Sequence, residues 1–316
     1  MPIALMVQAT KPDQFAALQQ AYPEWTFKTP ATLAPTEYAD VQVMYGKHPL
    51  LTKILATPEM QLRFLQVISA GVDYLPLADL AAHHVLVANT SGIHADGISE
   101  SVLGAMLTIV RGYQAAILNQ QGDHAWALPM TTSSLAGQQL VIFGTGQIGQ
   151  AIARKAAAFG MTIVGVNTTG HAAADFDTTV ALADVDTTLK TAQFVVNALP
   201  LTPETTHYFN AARFAQMQQQ PMFINIGRGP AVVTADLLAA LNSGQLGHAM
   251  LDVTDPEPLP ADHPLWQQPN VMITPHVSGQ ISHFRATVFH IFKTNFETWQ
   301  ATGKLARNQV DLHRGY

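Results

Sequence analysis

The sequence predicts an α/β protein built on doubly wound parallel sheets in about two domains. Three observations predict it. Short apolar runs alternate with amphipathic stretches along the 316 residues, the pattern of strands joined by crossover helices. A glycine-rich turn stands between an apolar run and a helical stretch near the middle of the chain. Beyond it, polar clusters follow directly on buried apolar runs, at the strand ends where open α/β sheets bind ligands.

Composition narrows the class. Apolar residues make up 48 %, enough for sizeable cores. A formal charge of −6 with 16 Lys and Arg argues against a nucleic-acid partner. There is no cysteine, hence no disulfide, thiolate metal site or cysteine nucleophile. No apolar stretch is long enough to span a bilayer. The first residues carry no basic flank followed by an apolar core, so no secretory signal is expected. The expectation is a soluble, cytoplasmic protein with no metal and no membrane partner.

Residues 1 to about 90 read as one domain. Strands are expected at 3–7, 41–45, 64–68 and 85–88. Residues 12–22 read as a helix, with Pro12 in its first turn and Phe15, Leu18 and Tyr22 on one side. Residues 50–56 and 76–82 read as helical connections. Ser69-Ala70-Gly71-Val72-Asp73 follows a strand, and its small residues expose backbone N–H groups suited to a carboxylate. A plain strand-to-helix turn is the commoner outcome for that composition. After the turn cluster at 89–92, the spacing predicts one long apolar helix over 98–118. Residues 119–134 read as an irregular segment with Trp126 and Pro129 exposed, either a dimer arm or a long loop.

The central unit begins with the apolar run at 140–143. Gly144-Thr145-Gly146-Gln147-Ile148-Gly149 follows, then a helix with Ala151, Ile152, Ala156, Ala157 and Phe159 inward, then a strand at 161–166. Gly144 permits the tight turn, Gly146 lets a pyrophosphate approach the backbone, and Gly149 lets helix and strand pack closely. The helix start offers unpaired N–H groups to phosphate. The strand before and the helix after supply the context this motif requires.

In NAD-specific sites an acid about 20 residues beyond the glycines binds the ribose hydroxyls. Asn167 stands there, followed by Thr168, Thr169, Gly170 and His171. Loss of the carboxylate removes the charge that repels a 2′-phosphate. No Lys or Arg lies between Lys155 and Lys190 to grip one, which leaves Thr168, Thr169 and His171 as donors. The cofactor is NAD or NADP, with a slight lean to NADP.

Further strands are expected at 194–198, 222–226, 248–253 and 271–274, with helices at 210–217 and 234–241. A last helix over 281–302 is expected to return and cover the first domain. Three groups at strand ends stand out. Arg228 lies between two glycines and suits a bidentate contact with a carboxylate. Glu257 is flanked by prolines. His276 follows Thr-Pro and precedes a small-residue turn. Each alone is more commonly a surface or structural residue; together, at successive strand ends of one sheet, they suggest one site.

With these pieces in place the chain resembles the D-isomer-specific 2-hydroxyacid dehydrogenase family. The matching segments are SAGVD at 69–73, GTGQIG at 144–149, LPLTPET at 199–205, NIGRG at 225–229, LDVTDPEPLP at 251–260 and TPHVSG at 274–279. The resemblance implies a flavodoxin-like substrate domain (1–95 plus 282–316) and a Rossmann cofactor domain (96–281), with the active site in the cleft. It implies reduction of a 2-oxo acid to a D-2-hydroxy acid by NAD(P)H. Arg228 would bind the carboxylate and polarise the ketone. His276 would protonate the ketone oxygen, and Glu257 would hydrogen-bond His276 and keep it protonated.

By the same resemblance Ala70, Gly71 and Val72 hold the substrate carboxylate through their N–H groups, and Tyr45, with Gly46, lines the substrate pocket. The cofactor set is Gly144, Gly146, Gln147, Ile148, Gly149, Asn167, Thr168, Thr169, Leu199, Pro200, Thr205, Ile226, Arg228, Asp252, His276, Ser278 and Gly279. Asn167 and Thr254 depart from the family pattern, Thr254 standing where an aromatic is frequent. A homodimer is expected. Glyoxylate or hydroxypyruvate reduction is a close variant. A non-catalytic NAD(H)-sensing protein, like corepressor relatives, is the alternative, and the lack of long disordered tails speaks against it. A methyltransferase using the same glycine loop would leave Arg228, Glu257 and His276 unexplained.

Overall fold

A computed structural model describes residues 1–8, 11–122, 126 and 132–314. The chain forms two compact units, Met1–Ile93 with Ile281–Tyr316, and His94–Gln280.

The first unit is a five-stranded parallel sheet of β1 (Ile3–Met6), β2 (Thr26–Lys28), β3 (Val41–Tyr45), β4 (Phe64–Gln66) and β5 (Leu86–Ala88). Its order is β2-β1-β3-β4-β5, the doubly wound 2-1-3-4-5 arrangement. Parallel strands need crossovers, and helices α1 (Pro12–Ala21), α2 (Leu50–Leu55) and α3 (Leu77–Ala82) lie between strands. Side chains alternate between the faces. Ile3 and Leu5 pack with Leu51, Ile54 and Leu80 on one side. Ala4 and Met6 pack with Leu18, Phe292 and Phe296 on the other.

The last helix is Phe284–Thr302, and it belongs to this unit. A buried amide ties it down. Asn295 donates to Gln66 Oε1 (2.9 Å) and to the Arg307 carbonyl (3.2 Å), and its Oδ1 accepts from the N–H groups of Ala306 and Arg307. Gln66 in turn donates to the Val67 and Ala88 carbonyls. Val310 then donates to the Val87 carbonyl, and Ala88 pairs with Gln309, so the tail closes the β5 edge.

The second unit opens with helices α4 (Ala95–Val110) and α5 (Tyr113–Gln121) where one helix over 98–118 was expected. Their axes differ by 73°. Gly112 between them has φ +68°, a left-handed conformation that ends α4 at little cost only because the residue lacks a Cβ. Most apolar side chains of α4 are buried, whereas α5 buries none and exposes Tyr113, Ile117 and Leu118. Of the expected irregular segment, Trp126 is exposed, and Pro129 lies outside the described residues.

Seven parallel strands follow: β6 (Gln139–Phe143), β7 (Thr162–Asn167), β8 (Thr178–Ala181), β9 (Phe194–Asn197), β10 (Met222–Asn225), β11 (His248–Leu251) and β12 (Val271–Ile273). Their order is β12-β11-β10-β9-β6-β7-β8. The chain reverses direction across the sheet between β6 and β9, the switch point where such sheets bind ligands. Helices α6 (Gln147–Ala157), α7 (Asp186–Leu189), α8 (Ala211–Ala215) and α9 (Thr234–Asn242) provide crossovers. On α6, Ala151, Ile152 and Ala156 face the core as expected, but Ala157 and Phe159 are exposed. β2 and β8 were not expected; they are short and carry too few apolar residues to stand out. Among the described residues no single helix is long and apolar enough to cross a membrane.

Candidate active site

The glycine loop closes the end of β6. Gly144 has φ +101°, and a Cβ there would stand 2.9 Å from the Ala198 carbonyl oxygen at the end of the neighbouring strand β9. A Cβ on Gly149 would overlap the Gly144 carbonyl. Those two glycines are explained by packing within the protein. Gly146 is not, because a Cβ there would meet nothing within 4 Å. It caps α6 without a side-chain hydrogen bond, leaving first-turn N–H groups without helical partners. Open space over an uncapped helix start fits a pyrophosphate approaching the backbones of Gly146, Gln147 and Ile148.

Asn167, the last residue of β7, is buried. Its amide donates to Thr145 Oγ1 (3.2 Å) and to the His171 carbonyl (2.8 Å), and its oxygen accepts from the Thr169 N–H (3.3 Å). It therefore braces the glycine loop and the following turn from within. Thr168 and Thr169 are exposed beside it.

Two asparagines that were not singled out from the sequence shape the next strand ends. Asn197 and Asn225 are register partners at the ends of β9 and β10. Asn197 donates to Asn225 Oδ1 at 2.9 Å and accepts from the Leu199 N–H. Asn225 accepts from the Gly227 N–H and donates to the Arg228 carbonyl. Both amides are buried, so these bonds fix the turns that carry Leu199 and Arg228. The signal was available in the sequence: two apolar runs, Phe194–Asn197 and Met222–Asn225, each close on an asparagine.

Arg228 donates to the Gly227 carbonyl at 2.8 Å. Gly229 presses against Thr254, whose carbonyl would overlap any Cβ at that position. The arginine loop thus packs directly on the segment leading to Glu257. Thr254 itself donates to the Pro256 carbonyl at 2.8 Å, and Thr234 to that of Asp255 at 3.0 Å.

Glu257 Oε1 lies 2.7 Å from His276 Nδ1. His276 has φ +54°, a left-handed conformation rare for a residue with a side chain. Its N–H donates to the carbonyls of Asp252 (2.8 Å) and Thr274 (3.0 Å), which hold the strained turn. Asp252, buried, completes the support: its Oδ1 accepts from the Thr274 hydroxyl (2.6 Å) and the Val277 N–H (2.9 Å). The hydroxyl of Ser278 bonds its Oδ2. His94, at the start of α4, contacts the Gly279 carbonyl through Nδ1 at 2.6 Å. With Nδ1 on the carboxylate, His276 Nε2 has no hydrogen-bond partner among the described residues.

The second unit thus presents, along one sheet edge, a dinucleotide-type turn, a fixed arginine and a carboxylate-bound imidazole. Residues 103–278 match the family described as D-isomer specific 2-hydroxyacid dehydrogenase, NAD binding domain. The chain belongs to the D-isomer-specific 2-hydroxyacid dehydrogenase family. It is 34 % identical over 250 residues to glyoxylate/hydroxypyruvate reductase B of Citrobacter koseri, covering 78 % of this chain and 77 % of that one. A structure of phosphoglycerate dehydrogenase from Lactobacillus plantarum is 63 % identical, with 98 % of this chain and 100 % of that chain covered and a TM-score of 0.60. A family structure from Xanthobacter autotrophicus Py2, in complex with NADPH and MES, is 30 % identical with a TM-score of 0.83, covering 100 % and 99 %.

As a member of this family the protein is an NAD(P)-dependent oxidoreductase. Several residues expected to touch the dehydrogenase's cofactor also make bonds or contacts within the protein. The Thr205 hydroxyl donates to the Pro200 carbonyl (2.7 Å) and accepts from the Thr202 N–H (2.8 Å), ordering the turn that contains Leu199 and Pro200. Leu199 and Ile226 are buried.

In the first unit the N–H groups of Ala70, Gly71 and Val72 donate no hydrogen bond among the described residues. Ser69 Oγ donates to the Gly71 carbonyl at 2.8 Å and lies 2.5 Å from Tyr74 Oη, which holds the turn. Tyr45 departs from expectation. Its side chain is fully buried and stacks on Phe292 with centroids 4.4 Å apart, so it belongs to the core and not to a pocket wall. Its hydroxyl has no hydrogen-bond partner among the described residues, and burial pushes the phenol pKa well up.

Proposed function

We propose that this dehydrogenase reduces a short 2-oxo acid to the D-2-hydroxy acid, with His276 as the proton donor. The observation that carries the proposal is the 2.7 Å contact between His276 Nδ1 and Glu257 Oε1, which leaves Nε2 outward. When bound, the nicotinamide supplies the hydride that reaches C2. His276 Nε2 gives its proton to the ketone oxygen as the C=O double bond becomes C–OH. Glu257 fixes the ring orientation through the contact at Nδ1. Arg228 binds the carboxylate and draws electron density from the ketone, aided by the rigidity its loop gains from Asn225 and Gly229.

The relative in Citrobacter koseri favours glyoxylate and hydroxypyruvate as first substrates to try. The test follows absorbance at the nicotinamide band with NADH and NADPH against a panel of 2-oxo acids, from glyoxylate to aromatic side chains. Turnover is expected on at least one member. His276→Gln should lower it by at least about two orders of magnitude while coenzyme still binds. Near-normal turnover in that variant would sink the proton-donor assignment. Coenzyme binding without turnover on any member would favour an NAD(H)-sensing protein.

A further inference from the structure

We propose that His94 is a positioning residue for the proton donor: its Nδ1–H holds the Gly279 carbonyl and so fixes the turn over 276–279 that aims the His276 ring. The proposal rests on the reading of His276 as proton donor.

The turn begins under strain. His276 lies at φ +54°, a conformation that persists only where its surroundings over-determine it. Asp252 supplies one set of restraints. Its carbonyl accepts the His276 N–H (2.8 Å), and its Oδ1 accepts the N–H groups of Val277 (2.9 Å) and Ser278 (3.1 Å). Those bonds fix residues 276–278 and stop there. The carbonyl of Gly279 is held instead by a residue far away in sequence, His94, whose Nδ1 lies at 2.6 Å. A carbonyl oxygen only accepts, so Nδ1 carries the hydrogen and this bond sets the tautomer. A Cβ on Gly279 would lie 3.5 Å from the Cβ and Nδ1 of His94, so the imidazole stands directly against the loop.

A bond positions its partner only when the donor is itself held. The His94 carbonyl accepts the Ile98 N–H at 3.0 Å and so opens α4. Lys155 of α6 fastens that first turn. Its Nζ donates to Ser99 Oγ (2.8 Å) and to the Asp96 carbonyl (3.1 Å), and Ser99 Oγ donates to the same carbonyl (2.9 Å). Ile98 and Val102 of α4 share one core cluster with Ile152, Ala153 and Ala156 of α6. The imidazole of His94 therefore stands on a helix packed against the helix of the glycine loop. Through Gly279 it passes that rigidity to the turn of His276. Without it, the bond left near this end of the turn among the described residues is local, from the Gln280 N–H to the Val277 carbonyl at 2.9 Å.

The test compares His94→Ala, His94→Asn and His94→Gln in the intact chain. An asparagine amide reaches the place of Nδ1, and a glutamine amide the place of Nε2. In the nicotinamide assay His94→Ala and His94→Gln should lower kcat at least about tenfold, because a misplaced proton donor loses its alignment with the ketone. His94→Asn should restore most of it. Coenzyme affinity by calorimetry should stay within about twofold of wild type in all three. In a His276→Gln background, His94→Ala should cost less than about twofold, since a residue that acts through His276 has nothing left to act on. Independently of turnover, the ring nitrogen NMR resonances of His276 should shift in His94→Ala and return in His94→Asn. Wild-type kcat in His94→Ala, equal losses in His94→Ala and His94→Asn, or an undiminished loss in the His276→Gln background would overturn the proposal. Should His94→Ala fail to fold, the asparagine and glutamine variants decide the matter. Near-normal turnover in His276→Gln would sink the proton-donor reading and leave the resonance shift standing, so the two fail separately.

Discussion

Gln66 ends β4 of the five-stranded sheet, and Asn225 ends β10 of the seven-stranded sheet. Both amides are buried with their bonds satisfied within the protein. Their partners differ in kind. Gln66 bonds Asn295 of the C-terminal helix, and Asn295 holds the backbone at 306–307. That network fastens the end of the chain to its first unit. Asn225 bonds Asn197 and the backbone of residues 227 and 228, all within the strand-end turns that carry Arg228. The same side-chain chemistry closes a fold in one unit and shapes the candidate active site in the other.

Removing one member from each network tests this contrast. Asn225→Ala should cost turnover most. The Arg228 carbonyl and the Gly227 N–H lose their anchor, and a misplacement of about 1 Å at a reacting group can cost roughly a hundredfold. A fall in kcat/KM of about that size is expected by the nicotinamide assay. Asn295→Ala should instead lower unfolding free energy by about 2–4 kcal/mol, since it strands several buried polar groups. Its turnover per folded molecule should hold. Equal loss of turnover per folded molecule in both variants would erase the distinction.

Tyr45→Phe sharpens the contrast from the other side. The hydroxyl lies in the aromatic cluster beneath the C-terminal helix and has no hydrogen-bond partner among the described residues. Deleting it should leave stability unchanged or raise it by up to about 1 kcal/mol, because a desolvated donor disappears. Denaturant unfolding measures this directly. KM for the 2-oxo acid should not move. A several-fold change in KM would return Tyr45 to the substrate pocket.

Much of this arrangement was legible before any coordinates. Strands buried on both faces are continuous apolar runs, so β6, β9 and β10 announced themselves. The glycine loop was readable because steric demands at Gly144 and Gly149 admit no other residue. Arg228, Glu257 and His276 stood out by their place after strands, and the structure brings Glu257 and His276 into contact. Less visible were features decided by tertiary partners. β8 is short, and only half-buried at Thr179, Val180 and Ala181. The break at Gly112 sits in an apolar stretch whose periodicity runs straight through it. The position of Asn167 in the motif is visible in the sequence, and its three internal partners are not. Tyr45 followed the family's loop pattern, yet Phe289 and Phe292, some 240 residues away in sequence, take its ring into the core.

The smallest effect concerns the opposite edge of the seven-stranded sheet. A groove of about 640 Å³ lies at the N-terminal ends of its strands, lined in part by Gln138, Gln193, Gln220 and His248. Burial pushes the His248 imidazole pKa down. A depressed folded pKa means the unfolded chain binds the proton more readily. Stability from this residue is therefore full above the ordinary imidazole pKa of about 6.5 and is lost as pH falls through the folded value. His248→Gln should flatten the decline in Tm below about pH 6.5 relative to wild type, with turnover near neutral pH unchanged. A parallel decline in the two proteins would show that His248 is solvated in the folded state. A loss of turnover near neutral pH would show that this edge communicates with the one that carries the chemistry.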